Sequence, residues 1–186
     1  MNEQELIAGC KKKDPHCQKE LFSMYAPKML GVCRRYVDST ETAEDILQEG
    51  FIKIFQKINT YTGEGAFAGW IRRIFVTTAL EHLRQSKAMR FSVSLDQVND
   101  IQTDPGMSAL SQLTVNDLMK CIEDLPIGYR TIFNLYAIEG YSHKEIAEML
   151  NIKENSSQSQ LTRARKVLQE KVQAIIGSDY ESQASK

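Results

Sequence analysis

The sequence predicts an all-α protein built as two small helical domains joined by a flexible linker. Three observations carry this. Apolar residues recur at intervals of three and four through most of the chain, no stretch alternates polar and apolar as a half-buried strand would, and one internal segment loses both periodicity and basic charge. The boundaries read from these patterns are a first domain over 1–91, a linker over 92–112, a second domain over 113–177 and a disordered tail over 178–186.

The first helix spans Asn2 to Lys13, with Leu6, Ile7 and Cys10 at helical spacing. Asp14-Pro15 then reads as a cap followed by a first-turn proline that opens a second helix. That helix carries Leu21, Phe22 and Tyr25, is expected to bend or restart at Pro27, and continues through Met29, Leu30, Cys33 and Tyr36. Asp38, Ser39 and Thr40 supply N-cap oxygens for a third helix. Its Ile46, Leu47, Phe51, Ile54, Phe55 and Ile58 fall on one face, leaving Glu44, Asp45, Gln48, Glu49 and Lys53 mainly outside.

The stretch NTYTGEG (59–65) breaks the pattern, after which Phe67, Trp70, Ile71, Ile74, Phe75 and Leu83 rebuild an apolar stripe on a basic helix; Trp70 is assigned to the core because it is in phase with Phe67 and Ile74. The segment Phe91 to Gln112, which contains the linker, holds three aspartates, no basic residue and Pro105-Gly106. Beyond it, Leu113, Leu118, Ile122 and Leu125 form a helix ending at Pro126, and a further helix through Tyr129, Ile132, Phe133, Leu135 and Tyr136 ends at Gly140. Ser142 with Glu145 three residues on forms a capping box for HKEIAEML, and Asn151 interrupts before a long helix opens at Asn155 or Ser156. His143, in the first turn after Ser142, reads as a surface polar residue.

Composition narrows the function. A chain of 186 residues with 42% hydrophobic and 25% charged residues has material for a packed core. It has no run of eighteen apolar residues, and the N-terminal MNEQELIAGCKKK lacks a secretory apolar stretch, so a cytoplasmic location without membrane insertion is expected. Cys10, Cys17, Cys33 and Cys121 are irregularly spaced and read as reduced thiols in helices. His16, His82 and His143 stand apart, and neither a phosphate-cradling glycine loop nor a nucleophile elbow is present. Neither enzymatic activity, a metal nor another cofactor is expected.

The net charge of −1 hides an asymmetry. Gly69 to Arg90 holds five basic residues against the single acid Glu81, whereas Glu41 to Glu49 holds four acids and no base. Separate positive and negative stripes point to two different partners. In the second domain, Tyr141 to Gln169 has the layout of a helix-turn-helix. Its second helix begins with Ser156, Ser157, Gln158, Ser159 and Gln160, side chains suited to base edges, while Thr162, Arg163, Arg165 and Lys166 continue the candidate DNA face and the cations can reach phosphates. Glutamine can bond adenine through two hydrogen bonds, worth roughly 1–3 kcal/mol per good pair, so Gln158 and Gln160 hint at an adenine-containing site.

Three stretches, AEDILQEGFIKIF (43–55), GWIRRIFVTTALEHLR (69–84) and LPIGYRTIFNLYAIEGYSHKEIAEMLNIKENSSQSQLTRARKVL (125–168), together resemble sigma-70-type factors of the extracytoplasmic-function group, in that family's order. The resemblance implies a region-2-like helical bundle followed by a region-4-like helix-turn-helix. It implies an RNA polymerase sigma factor whose Asp45, Gln48 and Glu49 dock on the beta-prime clamp coiled coil of core polymerase, with the beta subunit a further partner. It assigns reading and melting of the minus-ten element, and capture of its opened single strand, to Asn59, Thr60, Tyr61, Thr62 and Glu64 of the loop and to Arg72, Arg73, Thr77, Arg84 and Lys87 beyond it, with Tyr61 as a candidate stacking residue. It assigns the minus-thirty-five duplex to the second helix of the helix-turn-helix, and an anti-sigma factor as a further partner. Thr77 and Glu81 replace the family's usual Asn and Asp, and Gln158 and Gln160 stand where Lys and Arg are frequent. The alternative reading is a stand-alone helix-turn-helix repressor or activator, which gives no reason for the acidic face and glycine loop of the first domain.

Overall fold

The computed structural model describes residues 2–86 and 114–184, with side chains through 176; the segment assigned to a linker and the candidate Lys87 lie outside the described residues. The chain divides into two compact units, Met1–Met89 and Arg90–Lys186, and among the described residues every regular element is helical.

The first unit holds α1 (Glu3–Lys11), α2 (Pro15–Arg34), α3 (Thr40–Lys57) and α4 (Phe67–Gln85). Asn2 and Glu5 form a capping box on α1, and Asp14 accepts the backbone N–H of His16 at 2.8 Å to start α2 with Pro15 in its first turn. Pro27 neither breaks nor restarts α2, which runs through it as one helix. The proline forfeits a backbone hydrogen bond. Leu21, Tyr25, Met29 and Cys33, buried on the side facing α3 and α4, hold the helix together across that gap.

Ser39 caps α3, accepting Thr42 N–H at 3.3 Å, and α3 buries Ala43, Ile46, Phe51 and Ile54. It approaches α4 at a residue without a side chain. A Cβ on Gly50 would stand 2.2 Å from the ring of Phe75, itself fully buried and edge-on to Phe51 at 5.3 Å. The four cysteines are free thiols and all are buried. Burial pushes Cys33 up to about 12 and Cys10 to about 11, so both stay protonated and unreactive at neutral pH.

The second unit holds α5 (Val115–Glu123), α6 (Ile127–Phe133), α7 (His143–Leu150) and α8 (Glu154–Ala184), with a π-helical turn, Asn134–Ile138, continuing α6. Thr114 and Asp117 form a capping box on α5. Arg130, nearly inaccessible, donates to the Glu123 carbonyl at 2.6 Å and ties α6 to the end of α5. Ser142 and Glu145 cap α7 reciprocally, as the sequence predicts, and Asn151 leaves it in the left-handed region with φ of 53°. α8 starts one or two residues earlier than expected and runs on as helix to Ala184. The expected disordered tail from 178 is thus helical to Ala184. Gly177 is costly inside a helix, by about 1 kcal/mol relative to alanine, but it terminates one only when the next residues favour stopping, and Ser178 to Ala184 contains no proline.

Candidate nucleic-acid and protein interfaces

At about 100° per residue, Asp45, Gln48 and Glu49 fall on one strip of α3, opposite Ile46, Phe51 and Ile54. All three are exposed, and Ile52, 56% exposed, lies between them and the end of the helix on the same strip. Glu49 is engaged at its base: its carboxylate accepts from Lys53 Nζ at 2.7 Å, and Lys53 also reaches Glu81 of α4 at 2.6 Å and Thr78 Oγ1 at 3.3 Å. Burial alone would lower the Lys53 ammonium's pKa, but hydrogen bonds to Glu49 and Glu81 outweigh it and hold the group above its ordinary value. Lys53, expected mainly outside, is a cation bridging α3 to α4.

On α4 the same arithmetic puts Trp70, Arg73, Thr77, Glu81 and Arg84 along one strip. Arg73 and Arg84 are exposed there. Arg72 is half-buried and points about 100° away from Arg73, so the structure separates it from the rest of the basic set. The Thr77 hydroxyl lies within reach of the Arg73 carbonyl at 3.0 Å and the Ile74 carbonyl at 2.9 Å, so its proton is used on its own helix and a ligand meets lone pairs and a methyl group.

The preceding loop is closed from within. Tyr61 is only 8% exposed, its hydroxyl donates to the Gly65 carbonyl at 2.8 Å, and its ring packs 4.9 Å from Phe67 and 5.6 Å from Trp70. Lys11 anchors the loop from α1 by donating to the Tyr61 carbonyl at 2.8 Å. Gly63 and Gly65 take φ of 91° and 74°, which side chains resist, and this lets the loop turn back over Tyr61. The stacking role expected of Tyr61 therefore finds no open ring face here. The residue that borders the basic strip instead is Trp70, half-buried and stacked on Phe67 at 5.6 Å and 13° rather than enclosed in the core. Its i, i+3, i+7 spacing with Arg73 and Thr77 is the signal that identifies it. Asn59 and Thr60, in a single 3-10 turn (Ile58–Thr60) that follows α3, and Thr62 and Glu64 on the loop rim are exposed.

In the second unit, α8 turns its residues by phase rather than by chemistry. Ser157 is fully buried and Gln160 6% exposed, in line with Leu161 and Ala164 against the rest of the unit. Neither can reach a base edge, which corrects the expectation that both do. Ser156 and Ser159 are half-buried, with Ser159 Oγ donating to the Ser156 carbonyl at 3.1 Å, and Arg163 lies half-buried on that flank. The exposed strip consists of Gln158, Thr162, Arg165 and Lys166, joined at its start by Asn155, which the sequence marks only as a helix start.

Among the described residues no helix is long and apolar enough to cross a membrane. Two family models match the chain: "Sigma-70 region 2" over residues 21–89 and "Sigma-70, region 4" over 116–168. Relatives match over nearly the full length. They include the ECF RNA polymerase sigma-E factor of Haemophilus influenzae, 29% identical across 95% of this chain and 98% of the relative, and the RNA polymerase sigma-H factor of Pseudomonas aeruginosa, 26% identical across 94% and 95%. The solved structure of the sigma factor RpoE with the anti-sigma factor NepR from Bartonella quintana shares the fold, with a TM-score of 0.52 at 18% identity over 83% of this chain and 96% of that one. CnrH in complex with the cytosolic domain of CnrY does so with a TM-score of 0.51 at 17% identity over 92% and 97%. A stand-alone repressor does not account for a region 2 preceding region 4. With both regions in order and full-length relatives of the same group, the chain belongs to the sigma-70 family of RNA polymerase sigma factors, in the extracytoplasmic-function group.

Proposed function

We propose that this sigma factor acts as a cytoplasmic protein through a sequence of binding steps, with no covalent chemistry of its own. The strip Asp45, Gln48 and Glu49 joins the beta-prime clamp coiled coil of core polymerase, with further contact to the beta subunit. The exposed strip of α8, centred on Gln158, Thr162, Arg165 and Lys166, lies on the minus-thirty-five duplex. Arg73, Thr77 and Arg84 of α4, with the rim Asn59, Thr60, Thr62 and Glu64, take the opened minus-ten strand. An anti-sigma factor is a further partner, a reading supported by the solved neighbour from Bartonella quintana, which is itself bound by such a protein. The first domain, linker and second domain take the ranges 1–91, 92–112 and 113–177.

The observation that carries this reading is the separation of two oppositely charged strips on one unit. Acids and an amide on exposed α3 fit a basic or polar helix of another protein, where they set register and partner choice more than raw affinity. Cations on exposed α4 fit a phosphate backbone. The test separates the two strips. Asp45→Ala with Glu49→Ala should abolish co-purification with core polymerase, while Arg73→Ala with Arg84→Ala should leave it intact and reduce open-complex formation. Loss of polymerase binding in the arginine variant, with retention in the acidic one, would contradict the assignment.

A further inference from the structure

Tyr136, His143 and Arg165, from three elements of the second unit, meet in one cluster. Tyr136 belongs to the π-helical turn, where the widened backbone buries Asn134 and Leu135 yet leaves Tyr136 36% exposed at the rim. One neighbour is His143 from the first turn of α7, its ring 4.6 Å away and inclined by 22°. Another is Arg165 of α8, whose guanidinium carbon lies 5.7 Å from the ring centroid, within reach of a cation–π contact. His143 also shares a hydrogen bond of 2.9 Å between its Nδ1 and Oγ of the buried Ser157. The histidine is thus no solitary surface polar group.

The geometry fastens α8 at two points. Ser157 and Arg165 are eight residues apart, about 12 Å along the helix, and each is tied to the same pair of stacked rings. Arg165 falls within about 20° of Gln158 on the helical wheel, so a phosphate contact made by the guanidinium and a base contact made by Gln158 lie on the same side of α8. A long arginine side chain on an exposed face otherwise samples many rotamers, and ordering it on contact with DNA weakens binding.

We infer that Tyr136 is a positioning residue for duplex binding: it holds Arg165 in the conformation that meets a phosphate, on the side of α8 that carries Gln158. This rests on the reading of the α8 strip as a DNA-facing surface. Tyr136 need not touch DNA for this role, and its hydroxyl is dispensable because the ring face supplies the contact.

The test is a double-substitution cycle on the full chain, read as affinity for a short fluorescein-labelled duplex of mixed sequence at low ionic strength, with thermal unfolding recorded for every variant. Tyr136→Leu should weaken binding by about two- to fivefold, the range a surface cation–π contact supports. Tyr136→Phe should bind as the parent does. Arg165→Ala should weaken binding and flatten the salt dependence by about one unit of slope. Combining Tyr136→Leu with Arg165→Ala should cost no more than Arg165→Ala alone. If Tyr136→Leu lowers the melting temperature, Tyr136→Met, which keeps an apolar body at this half-open site, takes its place in the cycle. Additive losses, or a Tyr136→Leu protein that binds as tightly as the parent, would overturn the inference while leaving the DNA-facing strip intact. An Arg165→Ala protein with undiminished binding would overturn both.

Discussion

Replacing Gly50 by alanine tests whether the close approach of α3 to α4 is built on that glycine. The added Cβ would lie 2.2, 2.5 and 2.9 Å from three atoms of the Phe75 ring, so the ring or the helix must retreat by about an ångström to reach ordinary contact. Retreat is obstructed. Phe75 is wholly inaccessible and its ring is braced by Phe51 at 5.3 Å. Overpacking of this kind costs about 1–3 kcal/mol, against which alanine regains up to about 1 kcal/mol of helix propensity. The expected net loss is about 1–2 kcal/mol. For a unit of this size each kilocalorie lowers the melting temperature by roughly 4–8 °C. Urea denaturation followed by circular dichroism on the full chain would record it. Adding Phe75→Leu to Gly50→Ala should recover part of the loss as a coupling of about 0.5 kcal/mol or more, since the two side chains compete for one space. A Gly50→Ala protein more stable than the parent would refute the packing argument and leave Gly50 as a mere helix-weakening residue.

Ser142→Ala removes the oxygen that accepts Glu145 N–H and should destabilise the second unit by about 1 kcal/mol, measurable by denaturant unfolding, whereas Ser142→Asp should retain most of the cap. Gln158→Ala should change base preference in a footprinting panel, while Gln160→Ala should leave preference unchanged and act on stability, because only the first side chain reaches the surface. Raising the pH should destabilise the first unit. Burial lifts Cys33 and Tyr25 to about 12 and Cys10 to about 11, above their ordinary values of 9.0 and 10.0, so the folded state retains protons that the unfolded chain releases. The stabilisation is complete below pH 9 and is lost as pH rises through the folded values; a melting temperature that rises across this window would contradict the assignment.

Periodicity carried most of the fold. The apolar spacing of α3 and α4, the Asp14-Pro15 start and the Ser142–Glu145 box each survive in the structure because local capping and tertiary burial demand the same residues. What was illegible depended on contacts between distant residues. Nothing adjacent to Gly50 announces that Phe75 will occupy its missing side chain, and no local rule locates a π turn at Asn134–Ile138. The strip of acids on α3 was readable because its apolar complement was strong. On α8, hydrogen-bonding capacity points to the whole polar run Ser156 to Gln160, although Leu161, Ala164 and Leu168 fix a phase that turns Ser157 and Gln160 inward. Tyr61 follows the same logic: its place in a glycine loop suggests an open ring, whereas Phe67, Trp70 and the Gly65 carbonyl, none of them predictable from the loop itself, enclose it.

In the proposed function this chain programmes core polymerase and does not act by binding DNA unaided. Run-off transcription from a genomic promoter library, with purified core polymerase in the presence and absence of the protein, tests it most directly. Transcripts from defined new start sites, dependent on both components, are the predicted result. No new transcripts, together with tight duplex binding by the protein alone at physiological salt, would contradict it.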